Sequence, residues 1–469
     1  MSIANTHFGK DGISELLRDR KSIFFVGVGG INMSSLAHIA HVRGYRVGGS
    51  DRTRTALTER LRESGIDVKY EHKKENMDGY EALVYTVAIS NDNPELVYAR
   101  EHGLPCISRA DFLGYVMTGY TRRIGVSGMH GKSTTTSMLA HVFMACDADP
   151  TVMSGAELSE MGGAYRIGGK ENFIFEACEY MDSFLSFYPS TAVILNIEMD
   201  HVDYFHDMEQ IKNSFAAFAG KTLDGDDGCA VMNYDDANVR DVAKRYAGRV
   251  VSFGVKDASA DYTAKDIVYR RGLASFDVFC RGERLCRAEL SVPGEHNVYN
   301  ALAAFAAAHD AGLPADGIAR GLHGFVGAKR RMEFKGKLNG ADVYDDYGHH
   351  PTEVSSTLSG AAKMGYDRLW CVYQPHTYSR TAELLEDFSR AFESADRVIF
   401  ADIYAARETN TYGVSSEKLA QLVGERAEYS DSFEKIAASL KERVRAGDAV
   451  IVMGAGDIYK IFSLLDLEK

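Results

Sequence analysis

The segment GMHGKSTTT, residues 128 to 136, combines two glycines, a lysine and a run of hydroxyl side chains, the set of groups that wraps phosphate. Gly128 and Gly131 let backbone amides turn inward around anionic oxygens, and Lys132 adds a mobile positive charge. A hydroxyl directly after the lysine, Ser133, stands where a phosphate loop ligates Mg2+. Thr134 and its neighbours then open a helix whose dipole also favours anions. The spacing is one residue off: G-x-x-x-x-G-K-[ST] asks for glycine at 126, where the chain has Val126, and Gly125 comes too early. The segment is therefore a variant phosphate loop. Two later stretches supply acids and an imidazole just past apolar runs. FIFEACEY carries Glu176 and Glu179, and AVILNIEMDHVDYF carries Asn196, Asp200 and His201. In an open α/β sheet the carboxyl ends of strands share the edge that holds the loop, so these are candidate metal ligands. Singly, any of them also reads as a helix cap, Asp200 and Asp203 among them.

Elements of one kind must position these groups. SIFFVGVGG, EALVYTVAIS, ENFIFEACEY, STAVILNIE, DRLWCVYQ, DRVIFADIY and DAVIVMGAG are short apolar runs separated by helical periods. That alternation predicts parallel sheets covered by helices. A joint falls at TGYTRR, residues 118 to 123, and a second near HGFVGAKRRMEFKG, residues 323 to 336. Between Val250 and Leu290 alternating stretches, VVSFGV and FDVFCRGERLCRAEL, point to an antiparallel annex on the central domain. The first segment, FFVGVGGINMSSLAHIAHVRGYRVGGSD, sets a strand, a glycine turn and a helix in order, then a strand ending at Asp51. Gly27 and Gly29 match the start of G-x-G-x-x-G, but Asn32 replaces the third glycine, so NAD-like binding, another nucleotide and plain strand–helix packing stay open. Thr86, Ala88 and Ile89 end a later strand on the edge where such sheets bind ligands.

With 469 residues, about three domains are expected. Hydrophobic residues at 45% and charged ones at 25% describe an ordinary globular protein, and no run approaches the length of a membrane helix. The first residues carry no apolar signal core, so export is not expected. A formal net charge of −13 argues against nucleic acid as a partner. The seven cysteines, scattered and without a CxxC pair, read as reduced packing thiols of a cytoplasmic protein. A dehydrogenase would use the first glycine turn but leave GKS and the later acids idle. A P-loop kinase explains the centre but not the upstream turn, and a non-catalytic nucleotide-sugar sensor needs no metal ligands.

Taken together, GMHGKSTTT, EACEYMDSF, LNIEMDHVDYF, PGEHNVYNALAA, GAKRRMEFKG, DDYGHHPTE, YQPHTYSRT and MGAGDI resemble, in order and over nearly the whole chain, the Mur ligase family, and within it the alanine-adding branch. The resemblance implies three α/β domains: a Rossmann-like UDP-sugar-binding domain at 1–120, a central P-loop-type ATPase domain with a small antiparallel annex at 121–328, and a Rossmann-like amino-acid-binding domain at 329–469. It implies ATP-dependent joining of L-alanine to the lactyl carboxylate of UDP-N-acetylmuramate through an acyl phosphate, by a monomer or homodimer needing ATP and Mg2+. Lys132, with the backbone of Gly128, Met129, His130, Gly131, Ser133 and Thr134, would hold ATP phosphates. Ser133 and Glu176 would bind a first Mg2+, with Glu176 shared with a second ion that His201 helps hold. His296 and Asn297 would meet adenine, although Asn297 also reads as a helix cap. Arg331 would reach the phosphates and Asp346 the ribose or a phosphate. Gly27, Gly29, Gly30, Met33 and Ser34 would line the UDP diphosphate, near Asp51, His72, Thr86 and Ala88.

For the amino acid, the resemblance points to Arg380 for the carboxylate, His349 as base or orienting group, and His376 and Tyr347 shaping the pocket. His350, just before Pro351, reads equally as a helix-entry residue, and His376 as structural. The chain departs from the family pattern in several places. Met129 and Ser133 replace threonines, Cys178 removes a carboxylate from the EADES motif, and Thr377 stands for an arginine, which shifts more of the carboxylate binding to Arg380. No equivalent of the carbamylated lysine used by some siblings is found, Lys212 falling too early.

Overall fold

The computed structural model describes residues 5–158, 161–201, 204–224, 227–270, 272–406 and 408–468. Two compact units divide it, Met1–Phe253 and Gly254–Lys469. Asp203 lies outside the described residues.

In the first unit, β1 (Ser22–Val26), β2 (Arg46–Ser50), β3 (Asp67–Lys69), β4 (Ala82–Tyr85) and β5 (Cys106–Ser108) form a parallel sheet in the order β3-β2-β1-β4-β5. Every residue of β1 is buried, as a central strand covered on both faces requires. A second sheet holds β6 (Arg122–Ser127), β7 (Thr151–Leu158), β8 (Gly163–Arg166), β9 (Asn172–Glu176), β10 (Thr191–Ile194), β11 (Cys229–Asn233) and β12 (Arg249–Gly254). Their order is β12-β11-β10-β6-β9-β7-β8, with β8 alone antiparallel to its neighbour. The stretch VVSFGV is thus corrected: β12 pairs parallel with β11, and four of its six residues are buried, so it continues the main sheet.

The two sheets share one apolar core that runs from Ile13 through Phe112 to Phe173, Phe184 and Phe218. The helix Arg109–Met117 packs on the segment Tyr180–Ser186, and at Gly114 a Cβ would fall 2.0 Å from the Ser186 carbonyl oxygen. That approach admits no side chain.

In the second unit, β13 (Tyr262–Arg270), β14 (Leu273–Cys280) and β15 (Glu283–Pro293) are antiparallel, the predicted hairpins, and the helix Glu295–Asp310 packs on them. β16 (Glu333–Leu338), β17 (Ala341–Asp346), β18 (Leu369–Tyr373), β19 (Arg397–Phe400), β20 (Ala427–Tyr429) and β21 (Ala449–Met453) form a sheet ordered β16-β17-β21-β18-β19-β20, parallel except for β16. Alternate residues of β18 feed its two faces: Leu369, Cys371 and Tyr373 one core, Trp370 and Val372 the other. All seven cysteines are free thiols. No helix among the described residues is long and apolar enough to cross a membrane.

Candidate active site

The phosphate loop leaves the carboxyl end of β6 and enters the helix Lys132–Ala145. Gly128 has φ +137° and Gly131 φ +85°, backbone that side-chain-bearing residues rarely adopt, and this is why the variant spacing keeps both glycines. Asn196, just past β10, pins the loop. Its Oδ1 accepts from the His130 amide at 2.8 Å, its Nδ2 donates to the His130 carbonyl at 2.9 Å, and its own carbonyl accepts from the Met129 amide. Met129 is buried in the core at 5% exposure, so it anchors the loop from below. His130 pairs with Glu198 at 3.3 Å. Thr134 is partly buried in the first turn of the helix.

Lys132 Nζ donates to the carbonyls of Gly128 (2.6 Å) and Met129 (3.1 Å) and to Glu179 Oε1 at 3.1 Å. Burial alone would lower the ammonium pKa, but the Glu179, Cys178 and Glu176 side chains outweigh it and hold the pKa above its ordinary value. Glu179 is fully buried. Burial would raise its pKa, yet Lys132 and His201 bring it below the usual carboxylate range. His201 Nε2 lies 3.2 Å from the same Glu179 oxygen, and Glu179 Oε2 has no hydrogen-bond partner among the described residues. Ser133 Oγ donates to Glu176 Oε2 at 2.8 Å, and the Gly155 amide donates to the same oxygen at 2.8 Å. Asp200 Oδ1 accepts from the His201 amide, while the following helix is capped by Asp207, not by Asp200. Lys212 pairs with Asp241 at 2.9 Å. Right after Glu179 the chain turns sharply: Met181 and Asp182 both have φ +53°, with Asp182 held by Tyr204 and Ser214.

The first glycine turn is braced from within. Gly27 and Val28 donate to the Ser50 carbonyl, and the Gly29 amide donates to Asp51 Oδ2 at 2.9 Å. Asp51 thus shapes the turn. Gly30 caps the helix Ile31–Val42, whose first-turn amides have no acceptor within the helix. The Met33 side chain lies in the core, and the Ser34 hydroxyl donates to the Ile31 carbonyl. His72 meets Glu95 at 2.8 Å and Ser50 at 3.0 Å, Thr86 packs against Gly27, and Ala88 follows with its amide on the Thr86 hydroxyl.

In the second unit the carboxyl ends of β17 and β18 gather a second cluster. Asp346 is buried at 5% exposure and accepts from the amides of Met332 and Gly348, burial pushing its pKa up. Arg331 lies over the Tyr347 ring and 3.9 Å from Glu353. His350 caps the helix Pro351–Ala362, accepting from the Thr352 amide, so its helix-entry reading is the one the geometry shows. His349 Nδ1 faces the Tyr347 carbonyl at 3.1 Å, and its ring stands 5.7 Å from that of His376. His376 Nδ1 lies 3.3 Å from Arg380 Nη1, and its ring stacks on Tyr404. Arg380 sits in the short helix Tyr378–Glu383. Burial lowers His349 to about 4, with Arg380 and His376 adding to the shift and Glu353 opposing it. Burial and Arg380 lower His376 to about 4 as well. His296, also lowered to about 4 by burial and Arg331, meets Ser356 Oγ at 2.9 Å. Asn297 Nδ2 donates to the Pro293 carbonyl at 2.6 Å and its Oδ1 accepts from Asn300, so it braces the start of its helix. Two residues outside the motif reading carry weight here: Glu353, which bonds the His349 and His350 amides, and Arg330, which stacks on Tyr347. Glu353 was visible in PTE as the third residue of a capping box.

Comparison with known proteins supplies the family. Residues 22–121 match the Mur ligase family catalytic domain, 126–308 the Mur ligase middle domain, and 330–456 the Mur ligase glutamate ligase domain. A UDP-N-acetylmuramate–L-alanine ligase of Clostridium novyi is 44% identical over 94% of this chain and 96% of its own length. The chain belongs to the Mur ligase family. A ligase of the same name from Acetivibrio thermocellus is 44% identical over 96% of both chains. The crystal structure of UDP-N-acetylmuramate-alanine ligase from Thermotoga maritima superposes with a TM-score of 0.79 at 27% identity, covering 94% of this Mur ligase and 97% of that one. A murein peptide ligase of Psychrobacter arcticus shares the fold, with a TM-score of 0.69 at 24% identity over 94% and 97%. The three matched domains and the parallel sheets make this a three-domain α/β Mur ligase.

Proposed function

We propose that this enzyme joins L-alanine to the lactyl carboxylate of UDP-N-acetylmuramate at the expense of ATP, in the cytoplasm, as a step of peptidoglycan precursor synthesis. The observation that carries the reading is the buried array of Lys132, Glu179 and His201 beside the Ser133–Glu176 pair at the mouth of a glycine loop. Its relatives of about 44% identity bear the name of that activity.

A carboxylate does not condense with an amine unaided, because attack destroys its resonance. Transfer of the γ-phosphoryl group to the lactyl carboxylate oxygen gives an acyl phosphate and ADP. The neutral amine of alanine then attacks the acyl carbon, and inorganic phosphate leaves with the electron pair of the C–O bond. The loop amides and Lys132 gather around the phosphates, where negative charge concentrates in the first step. Lys132 exchanges its bonds to the Gly128 and Met129 carbonyls for phosphate oxygens while Glu179 keeps it in place. Arg331 and Asp346 serve the nucleotide, with His296 and Asn297 at the adenine. The first-turn amides of the helix Ile31–Val42 suit the diphosphate of the sugar nucleotide.

The donors also fit Mg2+. A hydroxyl and carboxylates offer hard oxygens, and the orphaned, buried Glu179 Oε2 is an oxygen that a cation would satisfy. Ser133, Glu176 and His201 would hold it. When bound, Mg2+ neutralises phosphate charge and aligns the phosphoryl group.

Arg380 pairs with the alanine carboxylate, while burial, the largest cause of the low His349 and His376 values, is unaffected by that pairing. With a pKa near 4, His349 is neutral at working pH and too weak a base to strip an ammonium. It orients an amine that arrives already neutral. The test is phosphate release from ATP with UDP-N-acetylmuramate and each amino acid in turn. Turnover with L-alanine, abolished by EDTA and restored by Mg2+, is expected. Turnover with a tripeptide and none with L-alanine would replace this reading by that of a peptide-recycling ligase.

A further inference from the structure

Arg109 is placed where a cation is least comfortable. It is the first residue of the helix Arg109–Met117, whose N-cap is Ser108, so its charge meets the positive end of the helix dipole. The side chain is partly buried, and burial pushes the guanidinium below its ordinary pKa. No hydrogen bond or ion pair to another described residue compensates. Asp111, two residues on, is committed to Thr6 Oγ1 (3.0 Å) and the Phe8 amide (2.8 Å). Across the contact, Glu179 gives Oε1 to Lys132 and His201, Glu176 gives Oε2 to Ser133 and Gly155, and neither acid pairs with Arg109. The ionisable side chain whose field reaches Arg109 is Cys178, a thiol that burial raises to about 11 and so keeps neutral.

The surroundings say which anion is missing. Arg109 stands at the carboxyl end of β5, on the edge of the first sheet that also carries the Gly27–Gly30 turn at the end of β1. Its helix packs on Tyr180–Ser186, the segment that directly follows Cys178 and Glu179, and Glu179 holds the phosphate-loop lysine. A carboxyl group of a sugar nucleotide seated on the first sheet, and bound for a phosphate held by Lys132, passes this point. We propose that Arg109 binds the reacting carboxylate of the acid substrate and presents it to the phosphate loop, an assignment that rests on the ligase reading above. Arg109 is thus a cation whose counter-ion is the substrate itself. An arginine supplies the planar, two-pronged donor set that a carboxylate matches.

The test compares UDP-N-acetylmuramate with its carboxamide, isosteric and uncharged, by titration calorimetry on the full chain. The wild type is expected to prefer the acid at least tenfold. Arg109→Gln should erase that preference by weakening acid binding 10- to 100-fold while changing carboxamide and ATP binding less than twofold. Arg109→Lys should recover part of it. Without substrate, Arg109→Gln should melt at the same temperature as the wild type or higher, since it removes a partly buried charge at a helix N-terminus that no described residue pairs with. Equal weakening of acid and carboxamide would place Arg109 on the diphosphate and overturn the proposal, as would an undiminished preference or a lower melting temperature. A wild type that binds UDP-N-acetylmuramate but releases no phosphate with L-alanine would sink the ligase reading instead.

Discussion

Lys132 and His201 share one oxygen of Glu179, at 3.1 and 3.2 Å, so a single buried carboxylate sets the position of both the loop lysine and the imidazole proposed for the metal. Glu179→Gln keeps the shape and removes the charge. It should lower kcat by about 10- to 100-fold and destabilise the fold by about 3–5 kcal/mol, because Lys132 is left buried without its counter-charge. Urea unfolding and phosphate-release kinetics measure both; an unchanged midpoint would show that the pair carries no structural load.

Lys132→Ala should abolish phosphate release and leave UDP-N-acetylmuramate binding within about threefold of the wild type, since the sugar nucleotide is proposed to sit on the first sheet. Isothermal titration beside the kinetic assay separates the two jobs. Joint loss of both would show that they are one.

Arg380→Lys keeps the charge but loses the fork that a carboxylate matches. The KM for L-alanine should rise by about 10- to 100-fold, with those for ATP and the sugar nucleotide nearly unchanged. A rise in all three KM values would mean that Arg380 supports the cluster rather than the amino acid.

His296, His349 and His376 each fall to about 4 in the fold, against an ordinary value near 6.5 for an unfolded chain. The unfolded state therefore binds more protons between those values, and stability is full above about pH 6.5 and declines as pH falls toward 4. At pH 5 the loss is about 1–2 kcal/mol for each histidine. Thermal melts from pH 7.5 to 4.5 should show this acid limb, and His349→Asn should flatten it. The same values place no limb from His349 or His376 in the alanine kcat/KM profile between pH 6 and 8. An inflection there that His349→Asn removes would contradict the orienting role proposed for His349.

Much of the fold was legible because parallel strands buried on both faces write continuous apolar runs, and the seven quoted runs are β1, β4, β9, β10, β18, β19 and β21. β12 misled because the apolar spacing of VVSFGV was read as hairpin alternation, whereas the strand runs parallel to β11 with four of its six residues buried. The phosphate loop was legible for a local reason: Gly131, Lys132 and Ser133 act within a few bonds of one another. Glu179 was visible as an acid past a strand, but its partnership with Lys132, 47 residues away, exists only once β6 and β9 lie side by side. Asp51 was read as lying near the UDP diphosphate, yet it spends an oxygen on the Gly29 amide, a short-range competition that no motif encodes. Arg109 carries no signature at all. What distinguishes it is the lack of a hydrogen-bond or ion-pair partner among the described residues, and that is a property of space.

The missing side chain at Gly114 has its own effect on how this protein tolerates change. With the Ser186 carbonyl already where a methyl group would go, even alanine must prise the helix that begins at Arg109 off the strand-end that carries Glu179. A lesion there would be read by an assayist as poor catalysis and by a crystallographer as a slipped helix, though it touches no reactant. Saturation mutagenesis should mark position 114 as intolerant of every side chain.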